Sequence, residues 1–436
     1  MKNKKIFALL LTLSWNAHAN EEFEKIWQSI STRSLHLKSS QEMVLASEKN
    51  KSRMGKHWLP TLYVTGSSYL TSDPGANMFG LLSQRSIEQM DFIPDKLNHP
   101  GSNLYTKGAV GINLPLYEGG MKSSIAKASE FQYEAKKLED SSHKVQLYGE
   151  VAKSYFTLQS LERFNAEIAK IKKTLDNIIG RYQIGSKSNM LGYSGLLGLR
   201  SLNNRILAIT DETSAKYAAH LKALNELNGE QIMLNRKEAA NYLSDVNKYL
   251  SSTQGEYQET DKVRALEQNA KAASEMIGAE KSRNRPRVGI FAESYAFNGE
   301  RKTATGYTTG ISLSWNIFSG NDLGASEEAI HNSHAAKYYA EASSQKEKME
   351  FNSLTEMETT LVKTIVTLDE SQKLLDEQTI VANNLFRNGM INALQLTEVL
   401  SRRVDLLKSK NDVELNLVET KSKKMLFTKN NPDLLK

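Results

Sequence analysis

The most regular pattern in the chain is a strict alternation over residues 104–117. Leu104, Thr106, Gly108, Val110, Ile112, Leu114 and Leu116 fall on one side, and Tyr105, Lys107, Ala109, Gly111, Asn113 and Tyr117 on the other. A period of two is that of a strand, whose successive side chains point to opposite faces. One face is largely apolar and the other holds the charge and the amide; Glu118-Gly119-Gly120 then ends the strand. A second alternator sets Tyr307, Thr309, Ile311, Leu313, Trp315 and Ile317 against Thr308, Gly310, Ser312, Ser314, Asn316 and Phe318, closed by Ser319-Gly320. Two runs rich in β-formers, opened near Pro60 and Pro286 where a strand tolerates proline, complete a set of four. The predicted strands cover about 58–70, 104–118, 286–298 and 305–318, with Asn298-Gly299 as a hairpin signal between the last two.

Elsewhere the period is that of a helix. Val151, Tyr155, Leu158, Leu161, Ile168, Ile171, Leu175 and Ile178 keep one face apolar in a proline-free stretch of about 121–183. At 1.5 Å per residue that helix is roughly 90–100 Å long, far more than a globular domain needs. Gly185 ends it, and a second helix is predicted from about 190 to 227, its first turns weakened by Gly192, Gly195 and Gly198. The scheme then recurs. A long helix over about 325–387 puts Leu354, Met357, Leu361, Ile365, Leu368 and Leu375 on one face, Gly389 turns it, and a last helix runs to about 427. Glycine suits both turns because it takes the left-handed conformation without a Cβ penalty. Shorter helices are predicted over 21–56, where Phe23, Ile26, Trp27 and Ile30 form a stripe, over 260–283, and near 239–250. Residues 71–103 hold three prolines and three glycines without a period and read as a long loop carrying a short helix around 78–90.

The order helix, strand, strand, long helix, turn, helix therefore occurs twice, over 20–228 and 260–430. A mixed segment, 229–259, separates the copies and a short tail, 431–436, follows. That is an internal duplication.

Ahead of it, Lys2, Lys4 and Lys5 precede an apolar run from Ile6 to Trp15 and then Ala17-His18-Ala19. These are the three regions of a secretory signal peptide, 1–19, with cleavage expected after Ala19 at the small residues Ala17 and Ala19. Removing those lysines lowers the net charge from +6 to +3, too little for a nucleic-acid footprint. Hydrophobic residues are 39% of the 436, and the mean hydropathy is −0.49, which suits long thin helices with much wet surface. Cysteine is absent, which excludes disulfides, thiolate metal sites and a cysteine nucleophile. No segment after the leader has the ~18 consecutive apolar residues of a membrane-crossing helix, which leaves alternating strands as a route into an outer membrane. His331 and His334, beside Glu327 and Glu328, have helical spacing for a metal pair but read as a solvated face. No phosphate loop, nucleophile elbow or HExxH occurs, so no enzyme and no cofactor is expected.

Four strands cannot close a barrel, and open edges cannot face lipid, so strands that enter a membrane demand an oligomer. Dimers would give eight strands and trimers twelve; the pattern alone does not choose. Val110-Gly-Ile-Asn-Leu-Pro-Leu-Tyr-Glu-Gly-Gly120, Gly310-Ile-Ser-Leu-Ser-Trp-Asn-Ile-Phe-Ser-Gly320 and the duplicated glycine tips carry a resemblance. Over residues 20–430 the chain resembles the TolC-type outer-membrane efflux proteins. The resemblance implies an α+β membrane protein, a homotrimer sharing one 12-stranded barrel in outer-membrane lipid, continued by a periplasmic α-helical tunnel. It implies the exit duct of a drug-efflux pump or a type I secretion machine, with a periplasmic adaptor at the helical tips and an inner-membrane transporter supplying energy. Gly119, Gly120 and Gly320 would mark the barrel-to-helix junctions, Gly185 and Gly389 the adaptor-docking tips, and 229–259 the equatorial belt.

At the tunnel mouth the chain departs from better-known members. Their gate aspartates, six and nine residues after the second tip glycine, correspond to Gln395 and Glu398. A further aspartate corresponds to Leu191, a basic latch residue to Ile391 and a tyrosine to Phe386, so the familiar salt-bridged latch is missing. Trp58, Tyr63, Tyr69, Tyr117, Tyr295, Tyr307 and Trp315 are candidates for interfacial aromatic belts. The competing reading is a periplasmic or surface coiled-coil protein with a structural or adhesive role.

Overall fold

The computed structural model describes residues 18–182, 190–232, 242–250 and 257–427. Its four strands are β1 (Thr61–Thr71), β2 (Asn103–Glu118), β3 (Arg287–Asn298) and β4 (Thr303–Ser314). They form one antiparallel meander in the order β1-β2-β3-β4, so β1 and β4 are edges. The register places Val64 opposite Val110, Val110 opposite Ser294 and Ser294 opposite Tyr307. A register shift between Pro115 and Tyr117 falls where proline has no N–H to give to the ladder.

β4 is shorter than its alternation suggests. It stops at Ser314, and the Trp315 indole Nε1 donates instead to the Asn284 carbonyl at 3.1 Å. The loop 71–103 holds more structure than its composition suggests: α3 (Pro74–Ser83), a 3-10 turn Gln89–Phe92 and α4 (Pro94–Asn98). α3 starts earlier than expected because Asp73 caps it, its Oδ1 accepting from Ala76 N at 2.6 Å, with Pro74 in the first turn.

The remaining helices are α1 (His18–Arg33), α2 (Leu35–Gly55), α5 (Met121–Arg181), α6 (Met190–Asn228), α7 (Tyr242–Tyr249), α8 (Asp261–Lys281), α9 (Ala325–Arg387) and α10 (Ala393–Met425). The single helix expected over 21–56 is two, because Ser34 interrupts it and its Oγ accepts from Leu37 N at 3.3 Å. Most of the leader lies outside the described residues, as does Gly185.

The chain divides into two compact units. One comprises residues up to Val44 with Lys136–Ala265 and Ala340–Lys436; the other comprises Leu45–Ala135 and Leu266–Tyr339 and holds the sheet. Each sequence repeat contributes to both. In the helical unit, Phe23 and Trp27 of α1, Tyr148, Tyr155 and Phe156 of α5 and Tyr242 and Tyr249 of α7 form an aromatic core. Phe23 lies 4.9 Å from Tyr249 and edge-on to Tyr148 at 5.5 Å.

The long helices meet along seven-residue seams. Gly195, Leu199, Leu202, Ile206 and Ile209 are buried on α6, against Ala393, Leu396, Leu400, Val404 and Leu407 of α10. On α6 the spacings alternate between four and three, 3.5 residues per turn, which keeps one seam facing a partner; α10 follows with two successive steps of four between Leu396 and Val404. On α9 the seam takes Phe351, Leu354, Glu358, Leu361 and Ile365, while Met357, expected on that face, is 47% exposed. A carboxylate displaces a methionine because α10 presents two buried cations to it. Lys421 Nζ is 2.5 Å and Lys424 Nζ 2.8 Å from the Glu358 carboxylate. Burial alone would push that carboxyl up, but the hydrogen bonds and charges of the two lysines outweigh it and hold it below its ordinary range.

Candidate functional site

The sheet is built inside out. Leu62, Val64, Leu70, Val110, Ile112, Ile311 and Leu313 share one face and are 41–76% exposed. Leaving an aliphatic side chain in water forgoes about 1.5–3 kcal/mol. An exposed contiguous apolar patch marks a surface meant for something other than water.

The opposite face carries the polar groups. Lys107 Nζ pairs with Glu293 Oε1 at 3.0 Å and lies 4.9 Å from the Tyr295 ring centroid, and Tyr63 donates to Glu293 Oε2 at 3.2 Å. Tyr105 and Ala109 are buried on this face. Aromatic rings lie flat across it where the neighbouring strand has glycine: a Cβ on Gly111 would come within 2.4 Å of Tyr63, and one on Gly306 within 2.6 Å of Tyr295. The charge on β2 was legible in the alternation, but its partner Glu293 sits 186 residues away and has no local signal.

Where strands pass into long helices, the backbone needs glycine. Gly119 and Gly120 have φ of +69° and +92°, and α5 begins at Met121. Before α9 the positive φ falls on Gly324, at +81°; Gly320, the expected junction residue, opens a 3-10 turn, Gly320–Asp322, in the same link between β4 and α9. The link between α8 and β3 ties to both junctions. Arg285 Nη1 donates to the Gly119 carbonyl at 3.2 Å, and Arg283 Nη1 to Asp322 Oδ1 at 3.1 Å.

The second tip belongs to the helical unit. Gly389, at φ +70°, closes α9: Met390 N donates to Leu385 O at 2.9 Å and Gly389 N to Phe386 O at 3.1 Å. These two bonds are a Schellman motif. Asn392 then caps α10 reciprocally with Gln395, by bonds of 2.9 and 3.0 Å, so the Gln395 amide is engaged in starting its own helix. Glu398 is exposed one turn on and accepts from Arg402 Nε at 2.9 Å. Phe386 stacks on Tyr182 with centroids 6.1 Å apart, and both pack with Ile391 against the α6–α10 cluster. Leu191 is 65% exposed. The candidate gate residues thus divide: Phe386 and Ile391 join an apolar cluster, Gln395 caps, and Glu398 and Leu191 stand at the surface. By helix propensity the α6 glycines are weak points. Gly195 is a contact point instead, since a Cβ there would sit 2.6 Å from that of Ala393.

Among the described residues, no helix is long and apolar enough to cross a membrane, and no three His, Asp or Glu side chains cluster to hold a metal ion. His331 and His334 are both exposed on α9.

No protein-family model matches the sequence, and no curated protein matches it. Solved structures do share its fold. CusC, studied for transmembrane channel formation, aligns with TM-score 0.76 at 13% identity over 94% of this chain and 92% of its own. The open outer-membrane channel MtrE of Neisseria gonorrhoeae aligns at 0.72 and 16% identity, over 93% and 88%. The outer-membrane protein VceC of Vibrio cholerae aligns at 0.65 and 13% identity, over 94% and 96%. The chain has the fold of outer-membrane channels along nearly its whole length.

Proposed function

We propose that this chain, with the fold of an outer-membrane channel, is a TolC-type efflux protein. Its role is to conduct solutes passively from a periplasmic adaptor and an inner-membrane transporter to the outside. The observation that carries this reading is the inverted sheet, apolar on its exposed face and polar on the other, with an unpaired edge on each side. Lipid can cover the apolar face, and other copies can pair the edges, but one chain alone can do neither. Strands of eleven to sixteen residues are long enough to cross a bilayer at a tilt. Three copies would give twelve strands, with the Lys107–Glu293 face lining the lumen and the helices forming a periplasmic tunnel.

Drug efflux and type I secretion would use the same duct, and the transporter selects the cargo. Deletion of the gene, followed by drug susceptibility and analysis of secreted proteins, separates the two. Increased drug susceptibility with an unchanged secretome identifies efflux, and a depleted secretome with unchanged susceptibility identifies protein export. A strain altered in neither sinks the duct.

At the periplasmic mouth, three copies of Glu398 form a ring of negative charge weakened by Arg402 beside each carboxylate. Glu398→Gln should reduce cation-over-anion preference in planar bilayers at low salt, where the screening length is long. Unchanged preference would remove Glu398 from the gate.

A further inference from the structure

The segment between β1 and β2 does not stand off the sheet; it folds back over the polar face. Asn77, Gly80 and Gln84 share one side of α3, and that side is buried. Tyr105, on the polar face of β2, donates from its hydroxyl to Asn77 Oδ1 at 3.0 Å. Its ring lies so close to Gly80 that a Cβ there would meet it at 2.4 Å. The Gln84 side chain, fully buried, accepts from Arg301 N at 3.1 Å and Lys302 N at 3.2 Å, which ties α3 to the link between β3 and β4. From the same link, Arg301 Nη1 donates to Asp91 Oδ2 and to the Ser86 carbonyl, each at 2.6 Å. The Arg301 guanidinium holds the Asp91 carboxyl down at about 2, so this tie stays ionic at any pH an outer surface meets.

At 100° per residue, Phe79 and Leu82 stand on the side of α3 opposite Asn77, Gly80 and Gln84. They are 70% and 49% exposed and face away from the sheet. A helix pinned by buried polar groups that presents aromatic and aliphatic side chains to open space has an unfilled apolar surface.

Resting on the channel reading, in which the polar face lines the lumen, we infer that residues 74–98 form a fixed constriction at the outer mouth. Three copies of Phe79 and Leu82 from neighbouring chains turn toward one another across the lumen and make an apolar ring. Such a ring resists hydrated and strongly polar solutes by dewetting and passes flexible apolar or amphipathic ones. The outer mouth then contributes to selecting cargo, separately from the helical tips.

The chain has no cysteine, so introduced ones report uniquely. Thr308→Cys places a thiol on the polar face of β4, opposite Glu293 and inward of the constriction. Labelling is measured in intact cells with a polyethylene-glycol maleimide too large for general porins. In this background, Phe79→Ala with Leu82→Ala should speed labelling at least ~10-fold. Arg301→Ala with Asp91→Asn, which unties the segment without touching the ring, should also accelerate it. Equal rates in all three backgrounds overturn the constriction. A separate Phe79→Cys chain tests the premise. Labelling in intact cells upholds an outer mouth; labelling only after permeabilisation defeats the channel reading itself, whatever Thr308→Cys does.

Discussion

Glu358→Gln should destabilise the helical unit by about 3–5 kcal/mol, the usual cost of removing one partner from a buried ionic cluster. The substitution leaves Lys421 and Lys424 facing an amide, and their side chains are only 7% and 8% exposed. Neither ammonium can regain its hydration without opening the α9–α10 seam. Replacing all three residues with methionine removes the stranded charges together with the pair, so that variant should recover most of the loss. The same cluster sets a pH dependence. The Glu358 carboxyl titrates lower in the folded chain than in the unfolded one, so its contribution is present above the ordinary carboxylate range and lost as pH falls through the lowered value. Urea unfolding of the detergent-purified protein at neutral pH and at pH 4 measures both effects. A single variant within 1 kcal/mol of the parent would contradict the account.

Val110→Arg is expected to cost about 2–4 kcal/mol per chain if the apolar face of the sheet meets lipid at mid-depth. At an exposed site in water, a surface substitution of this kind stays within about 0.5 kcal/mol. Val110 is 51% exposed, so its surroundings within one chain give no reason for a penalty, and a penalty has to come from the membrane. Thr308→Arg, on the opposite face, is the control and should be tolerated. The measurement is the yield of heat-modifiable oligomer in the outer-membrane fraction. Strong loss for Val110→Arg with near-parental yield for Thr308→Arg is the predicted result.

Much of the fold was legible because strands and long packed helices both obey strict periods. The alternation at 104–117 located β2 and separated its faces, and the proline-free run after it located α5 to within two residues. What escaped were places where one residue's chemistry overrides its period. Glu358 occupies a seam position that an apolar stripe assigns to a neighbour, because the reason lies on α10. Trp315 continues the alternation of β4 in sequence but hydrogen-bonds out of it. Gly320 and Gly324 both lie between β4 and α9, and only the backbone angle singles out Gly324. Asn392 and Gln395 form a capping box that their spacing alone encodes, a local role beside the gate position that the resemblance implies for Gln395. The ties holding the segment between β1 and β2, Gln84 to the β3–β4 link and Asp91 to Arg301, join residues more than two hundred positions apart. No periodicity announces such contacts.

In the proposed channel the edges of this sheet are completed by other copies of the chain in a lipid bilayer. Native mass spectrometry of the membrane-extracted protein tests it most directly. The expected result is a particle of three chains, released only by detergent. A single chain recovered from the soluble fraction of lysed cells would contradict it.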